Sequence, residues 1–343
     1  MSGTSLDGID CAVVEFTYKY NHWQYEFVQG ATIPYPDEWT AKLRTAIALN
    51  ETDLHLLNIA YTYFLSEKIN EFIAENQLVD LDFIASHGHT VLHQPEKVIT
   101  LQIGNLPIVA DLFDLPFVCD FRVQDVALGG QGAPLVPIGD RLLFADYDYC
   151  LNLGGFSNIS FEEDNQRLAF DICPVNTLLN YFAQKEGFPF DDEGKIARTG
   201  KVDTALLAEL NTLDFYRTSA PKSLGMEQVN AIYLPLINQH KLDNVTILTT
   251  LTEHIAYQIA QIVQKENTRL LATGGGAFNT FLIERMKHHL PKTQIEVGSK
   301  DLTDFKEAIV FAFLGALRLE NSNNVLCSVT GAKHDHCSGV IYG

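Results

Sequence analysis

Residues 149–161 read Tyr149-Cys150-Leu151-Asn152-Leu153-Gly154-Gly155-Phe156-Ser157-Asn158-Ile159-Ser160-Phe161. An apolar run, a turn of small residues and a second apolar run spell strand, glycine turn, strand. The same grammar stands at the N-terminus, where Met1-Ser2-Gly3-Thr4-Ser5-Leu6-Asp7-Gly8 leads into the apolar, β-branched run from Ile9 to Phe16. A third glycine turn differs in kind. Leu270-Leu271-Ala272 enters Thr273-Gly274-Gly275-Gly276-Ala277-Phe278-Asn279 and then a helical stretch to His289, which is strand, turn, helix. Such turns let backbone N–H groups approach an anion closely, because no Cβ intervenes. One loop of this type is equally an ordinary hairpin; two paired loops and a third turn point to a nucleotide. The hydroxyls and lone carboxylate of the first loop suit phosphates that carry Mg²⁺.

Around these loops, strand-like and helix-like segments alternate, the pattern of α/β layers. Asp53 to Ile73 carries apolar residues at helical spacing, while Trp23 to Val28, Phe83-Ile84-Ala85, Val98 to Ile103 and Phe117-Val118-Cys119 read as strands. A boundary near residue 145 gives a first domain of 1–145 plus about 321–343 and a second of 146–320. The last helix, about 305–320, is expected to return and pack on the first domain. A ligand is expected in the cleft between the two.

The 343 residues make roughly two domains at ~150 each. With 46% hydrophobic residues, both cores can form without disulfides or structural metals. The six cysteines are scattered and suggest neither a zinc site nor a disulfide framework. A net charge of −19 argues against nucleic acid as a partner and requires that an anionic ligand be held locally. No secretory leader is evident, and the longest apolar run, Ile309 to Leu317, is too short for a bilayer. A cytoplasmic protein with no membrane partner is expected. Neither a P-loop nor a complete G-x-G-x-x-G occurs, which excludes the commoner phosphate motifs.

Several longer motifs, in order, carry a resemblance. They are Met1 to Asp10, Ser86-His87-Gly88-His89-Thr90, Gln102-Ile103-Gly104-Asn105, Asp120 to Asp125, Gly129 to Pro137, Leu151 to Gly155, Pro221-Lys222-Ser223 and Gly274 to Asn279. Over nearly its whole length the sequence resembles the anhydro-N-acetylmuramic acid kinases of the sugar kinase–Hsp70–actin ATPase superfamily. The resemblance implies two ribonuclease H-like (actin-like ATPase) domains and an ATP- and Mg²⁺-dependent sugar kinase of cell-wall recycling. The substrate would be a small amino sugar, and the state a homodimer. It implies that Ser2, Gly3, Thr4, Ser5, Leu6, Asp7, Gly8 and Ile9, with Gly154 and Gly155, hold the phosphates. Gly274, Gly275 and Gly276 would lie against the adenosine, and Asp7 would face the metal.

Asp171, in Phe170-Asp171-Ile172-Cys173-Pro174-Val175-Asn176, matches the family's catalytic base. It would activate a water that attacks C1 and opens the anhydro bridge while O6 takes the γ-phosphoryl group, giving N-acetylmuramic acid 6-phosphate. Read alone, Asp171 is equally a turn residue before a proline. His87, Thr90, Arg122, Asp125, Gln131 and Glu307 match positions expected at the sugar, with Arg122 facing the lactyl carboxylate. Asp125 also reads as a helix cap and Glu307 as a solvated helix residue. Two departures from the family stand out: Cys173 and Val175 replace glycines beside the base, and the chain begins at the loop with no apolar strand before it. The second would leave a sheet without a central neighbour. A simpler hexosamine kinase and a nucleotide-switched actin-like protein are the competing readings. His334-Asp335-His336-Cys337 is expected to be a polar surface tail.

Overall fold

The structure, a computed structural model, describes residues 1–3 and 6–343, so Thr4 and Ser5 of the expected phosphate loop lie outside the described residues. In chain order the strands are β1 (Gly8–Lys19), β2 (His22–Pro34), β3 (Ile84–Ala85), β4 (His89–Gln94), β5 (Ile99–Ile103), β6 (Phe117–Cys119), β7 (Tyr149–Leu153), β8 (Phe156–Glu163), β9 (Gln166–Pro174), β10 (Thr268–Thr273), β11 (Thr293–Val297) and β12 (Val340–Tyr342). The longest helices are α1 (Glu51–Glu75), α2 (Asn176–Lys185), α3 (Asn244–Ile262), α4 (Thr280–His289) and α5 (Lys300–Leu319). The chain divides into two compact units, Met1–Leu143 with Phe305–Gly343, and Phe144–Asp304.

The second unit holds a five-stranded sheet in the order β11-β10-β7-β8-β9. β7, β8 and β9 form an antiparallel meander, and β10 and β11 add in parallel on the other edge of β7. That is the strand order of a ribonuclease H-like domain. β7 lies at its centre and is apolar on both faces, as a strand covered on both sides must be. Tyr149, Cys150, Leu151 and Leu153 are all buried, Leu151 and Leu153 completely. The helices begin where side chains satisfy their first N–H groups: Asp243 accepts from Thr246 N at α3, and Asn279 from Leu282 N at α4. Lys287, His288 and His289 close α4 and complement its dipole.

The first unit packs around two long helices. The spacing of apolar residues predicts α1 over 53–73; it runs from Glu51 because Asn50 caps it, accepting from Asp53 N. Its buried face, with Leu57, Tyr61 and Leu65, packs against Ile9, Tyr35 and Ile103. The part of α5 from Phe305 onward belongs to this unit. There Phe305 stacks on Phe27 at 5.5 Å between centroids, and Phe313 meets Phe16 at 5.3 Å and Trp23 at 5.2 Å. Lys306 Nζ and Asp140 Oδ1 form an ion pair of 2.8 Å, with both side chains nearly excluded from solvent.

The sheet of the first unit is interrupted. It comprises β1–β2, β4–β5 and β12-β6-β3 as separate pieces. Before the loop only Ser2 bridges, antiparallel to Ile9 and parallel to His89, with Asp10 N donating to Met1 O. The strand, turn, strand pattern is complete in the second unit, where β7 and β8 pair. Beyond Met1, β1 and β3 line a cavity of about 1110 Å³ that α1 and α5 also border, through Leu65, Ile69, Phe311 and Ala312. Apolar side chains on its walls lack the dispersion partners a filled core supplies.

Trimming the filled sheet should therefore cost more than trimming the cavity wall. Leu151→Ala should destabilise by about 2–5 kcal/mol, and Val14→Ala by less than ~1.5 kcal/mol. Urea unfolding of the two variants measures this, and equal losses would contradict the difference drawn between the two sheets.

Candidate functional site

In the second unit, two candidate elements, Gly154-Gly155 and Gly274–Gly276, meet at the carboxyl ends of the parallel strands β7 and β10. Gly154 and Gly155 follow β7 directly, and their carbonyls accept from the first turn of α2. Val175 N donates to Gly155 O at 2.8 Å, Asn176 N to Gly154 O at 3.2 Å and Thr177 N to Gly155 O at 3.2 Å. Gly274 ends β10 with φ +80, and a Cβ there would stand 2.8 Å from the carbonyl carbon of Leu153. A Cβ on Gly276 would come within 2.9 Å of Leu153 O. Only glycine allows this approach. In open α/β sheets a ligand is received beyond the carboxyl ends of strands, where the order changes direction. The strand β7 is such a point, with β10 parallel on one side and β8 antiparallel on the other.

Asp171 lies on β9 opposite Asn158, next to a bulge at Ser157/Asn158. Its Oδ2 accepts from Leu224 N at 2.8 Å, and its own N–H donates to Lys222 O at 3.1 Å. Partial burial lifts its carboxyl above the ordinary value, and the Leu224 hydrogen bond opposes the lift. The result is a carboxylate of enhanced basicity held by backbone. Cys173 and Val175, the departures beside it, are fully buried. The Cys173 thiol is pushed up to about 12 by burial, and it sits 3.3 Å from Ser157 Oγ, so it is a packing group rather than a nucleophile. Asn176 Nδ2 donates to Leu153 O at 3.2 Å, tying this hairpin to the glycine turns.

In the first unit, Ser2 is anchored by a chain of hydroxyls. Its Oγ is 2.7 Å from Tyr35 Oη and 2.9 Å from His89 Nδ1, and Tyr35 Oη is 2.5 Å from Tyr61 Oη. Tyr35 and Tyr61 show in the sequence only as core aromatics, whereas His89 belongs to the quoted motif of residues 86–90. Burial holds His89 at about 4, so it is neutral at pH 7. Leu6 N donates to Gly3 O at 3.4 Å; Asp7 is exposed, and Gly8 and Ile9 start β1. A Cβ on Gly8 would stand 2.5 Å from Ile33 O. Among the described residues no group of three or more His, Cys, Asp and Glu could hold a metal alone. The exposed carboxylate of Asp7 would fit a hard cation that arrives with phosphate oxygens and water as its other ligands.

The sugar-directed candidates gather elsewhere in the same unit. Arg122 Nε donates to His87 Nε2 at 2.9 Å, and Nη1 donates to Gly132 O at 2.5 Å. His87 Nδ1 donates to Gly88 O at 3.0 Å. This tautomer leaves Nε2 as the acceptor Arg122 needs. Burial, then the Arg122 charge, holds His87 well below its ordinary value. Burial brings Arg122 down to about 10, still a cation at neutral pH. Glu307 reaches solvent, yet its crowded surroundings raise its carboxyl, with Arg122 acting against the rise. Thr90 accepts from Gln102 Nε2 at 3.3 Å, and Gln131 is exposed. Asp125 is placed differently: it is fully buried, and both carboxylate oxygens are engaged, Oδ2 by Gly132 N at 2.6 Å and Oδ1 by Thr330 Oγ1 at 2.7 Å. It lies beneath the Gly129–Gly132 loop and presents no free oxygen to a ligand here. The expected surface tail needs correcting as well. His334 is exposed, but His336 is 4% exposed, with Nε2 3.6 Å from Asp125 Oδ1.

Comparison with known proteins bears on this arrangement. The family model described as anhydro-N-acetylmuramic acid kinase matches residues 1–343. A protein of that name from Mannheimia succiniciproducens is 35% identical over 377 residues, covering 100% of this chain and 97% of its own. One from Pseudomonas syringae pv. tomato is 35% identical over 362 residues, with 100% and 97% covered. Among solved structures, a ROK family glucokinase from Streptomyces griseus in complex with glucose and AMPPNP is similar at 12% identity, over 79% of this chain and 87% of its own. Its TM-score of 0.35 is too low to bear on function. No described helix is long and apolar enough to cross a membrane.

The Ser2 anchor gives a pH signature. His89 titrates at about 4 in the fold against 6.5 ordinarily, so the unfolded chain takes up this proton first. Its effect on stability is nil above pH 6.5 and grows unfavourable as pH falls from 6.5 toward 4. NMR titration of the His89 ring should show a midpoint near 4; a midpoint near 6.5 would place the ring in solvent.

Proposed function

The chain belongs to the anhydro-N-acetylmuramic acid kinase family, and from that premise we propose that it converts 1,6-anhydro-N-acetylmuramic acid and ATP to N-acetylmuramic acid 6-phosphate and ADP, with a water consumed. The observation that carries the mechanism is Asp171, a half-buried carboxylate of raised basicity on the strand pair leaving the Gly154-Gly155 turn. Asp171 takes a proton from water as that water attacks C1. The C1–O6 bond breaks, and O6 accepts the γ-phosphoryl group. One group thereby serves both ring opening and the generation of the acceptor oxygen. The remaining rate enhancement comes from positioning and charge stabilisation, as in phosphoryl transfer generally.

In this reading the backbone of Ser2–Ile9 and of Gly154-Gly155 receives the phosphates, and Gly274–Gly276 lie against the adenosine. Asp7 would hold Mg²⁺, which would supply charge neutralisation for the phosphates. Arg122 pairs with the lactyl carboxylate, its plane fixed by His87 and Gly132 O. His87 and Thr90 border that group, and Glu307 and the exposed Gln131 offer polar contacts to the sugar. A buried, oriented guanidinium supplies the local cation that a chain of net charge −19 needs for an anionic substrate.

Two outcomes test this. Asp7→Asn should lower kcat by roughly 10- to 1,000-fold and weaken Mg²⁺–ATP use more than sugar binding; turnover near wild type would return Asp7 to a turn residue. Asp171→Asn should lower kcat by roughly 10²- to 10⁴-fold with nucleotide affinity little changed. The reaction in ¹⁸O-water, sampled early against an unlabelled-product control, should place label on the anomeric carbon and none on the phosphate ester. Sugar phosphate formed without label above the control would replace ring-opening hydrolysis by simple phosphorylation of a free hydroxyl.

A further inference from the structure

The C-terminal segment grips residues 117–132 at successive points. β12 pairs antiparallel with β6, Val340 opposite Cys119. Ser338, fully buried, donates from Oγ to Phe121 O at 2.7 Å, one residue before Arg122. Thr330, 1% exposed, donates from Oγ1 to Asp125 Oδ1 at 2.7 Å, and its carbonyl accepts from Gln131 N at 2.8 Å. His336 stands behind the same carboxylate, tied to the segment by its bridge with Val325.

Asp125 in turn holds the loop. Gly132 N donates to its Oδ2, Gly130 N donates to its backbone carbonyl at 2.9 Å, and a Cβ on Gly130 would fall 2.2 Å from Oδ2. The far end of the loop is Gly132 O, which accepts from Arg122 Nη1. The path from Thr330 to the guanidinium thus passes through one carboxylate and one glycine, with every link a hydrogen bond. Two of the five guanidinium N–H groups are used in this way and toward His87, which fixes the plane and leaves the others for an anion.

We propose that Thr330 is a positioning residue: through Asp125 it locks the Gly129–Gly132 loop and so orients Arg122 for the carboxylate of the substrate. Asp125 is then the buried keystone of the loop and not a sugar ligand. The orientation of Arg122 toward a sugar acid rests on the functional reading above; the locking of the loop does not.

Thr330→Val keeps the shape and removes the donor, and Thr330→Ser restores it. In the unliganded protein, amide exchange at Gly130, Gln131 and Gly132 should quicken by roughly ten-fold in Thr330→Val and return toward wild type in Thr330→Ser. KM for 1,6-anhydro-N-acetylmuramic acid should rise by roughly ten-fold in Thr330→Val, while KM for ATP and for the lactyl-free 1,6-anhydro-N-acetylglucosamine stays within about two-fold. Unchanged exchange, or an equal rise of all three KM values together with a lower Tm, would overturn the proposal. Should the wild type phosphorylate neither sugar, the functional reading fails and the amide exchange alone decides whether the loop is locked from Thr330.

Discussion

A Cβ at Gly274 would stand 2.8 Å from the carbonyl carbon of Leu153, and one at Gly276 2.9 Å from its oxygen, so the end of β7 and the turn after β10 touch through bare backbone. Most of what the second unit offers to chemistry follows from that approach. At Gly155 a Cβ would stand 2.9 Å from Thr177 Oγ1, so that turn too is close to its neighbour. The first turn of α2 satisfies the carbonyls of Gly154 and Gly155, and Asn176 closes the gap to Leu153 O. Asp171 belongs to the same hairpin and inherits its rigidity: its carboxylate is held by the Leu224 amide rather than by a mobile side chain. Burial raises its basicity while backbone fixes its position, which suits a group that must take a proton without moving far.

The first unit solves a related problem with side chains. A run of hydroxyls from Tyr61 through Tyr35 reaches Ser2, and neutral His89 completes the anchor, so the beginning of the first loop is pinned by buried aromatics. Arg122 is oriented by a neutral imidazole and a glycine carbonyl instead of an opposing carboxylate. A tight ion pair would have neutralised the charge that a ligand is to use; hydrogen bonds to neutral acceptors leave it in place.

The sequence made some of this legible and hid the rest, for physical reasons. The two strands around Gly154-Gly155 and the helix after Gly274–Gly276 are local patterns, and the structure places β7, β8, β10 and α4 there. The helix read over 53–73 starts two residues earlier because Asn50 supplies its N-cap, and it ends at Glu75, where Asn76 forms the C-cap. Asp125 could be read as a helix cap or a sugar contact, since local spacing does not reveal a partner such as Thr330, 205 residues away. His336 in a polar tetrapeptide looks like surface for the same reason, although its bridge to Val325 turns it inward. Cys173 and Val175 lie between Asp171 and Asn176 in the sequence, yet both are fully buried, leaving Asp171 and Asn176 on the less buried side. The cavity beside β1 is the converse case, since a packing void leaves no local mark in the sequence.

The claim on which the account most depends is that bare backbone at the end of β7 receives the nucleotide. Isothermal titration of a non-hydrolysable ATP analogue with Mg²⁺ into wild type and Gly276→Ala tests it directly, with Tm measured on both to confirm folding. The account predicts at least roughly ten-fold weaker nucleotide binding in the folded variant, because the added Cβ must push the turn away from Leu153. Wild-type affinity in a folded Gly276→Ala protein would contradict it.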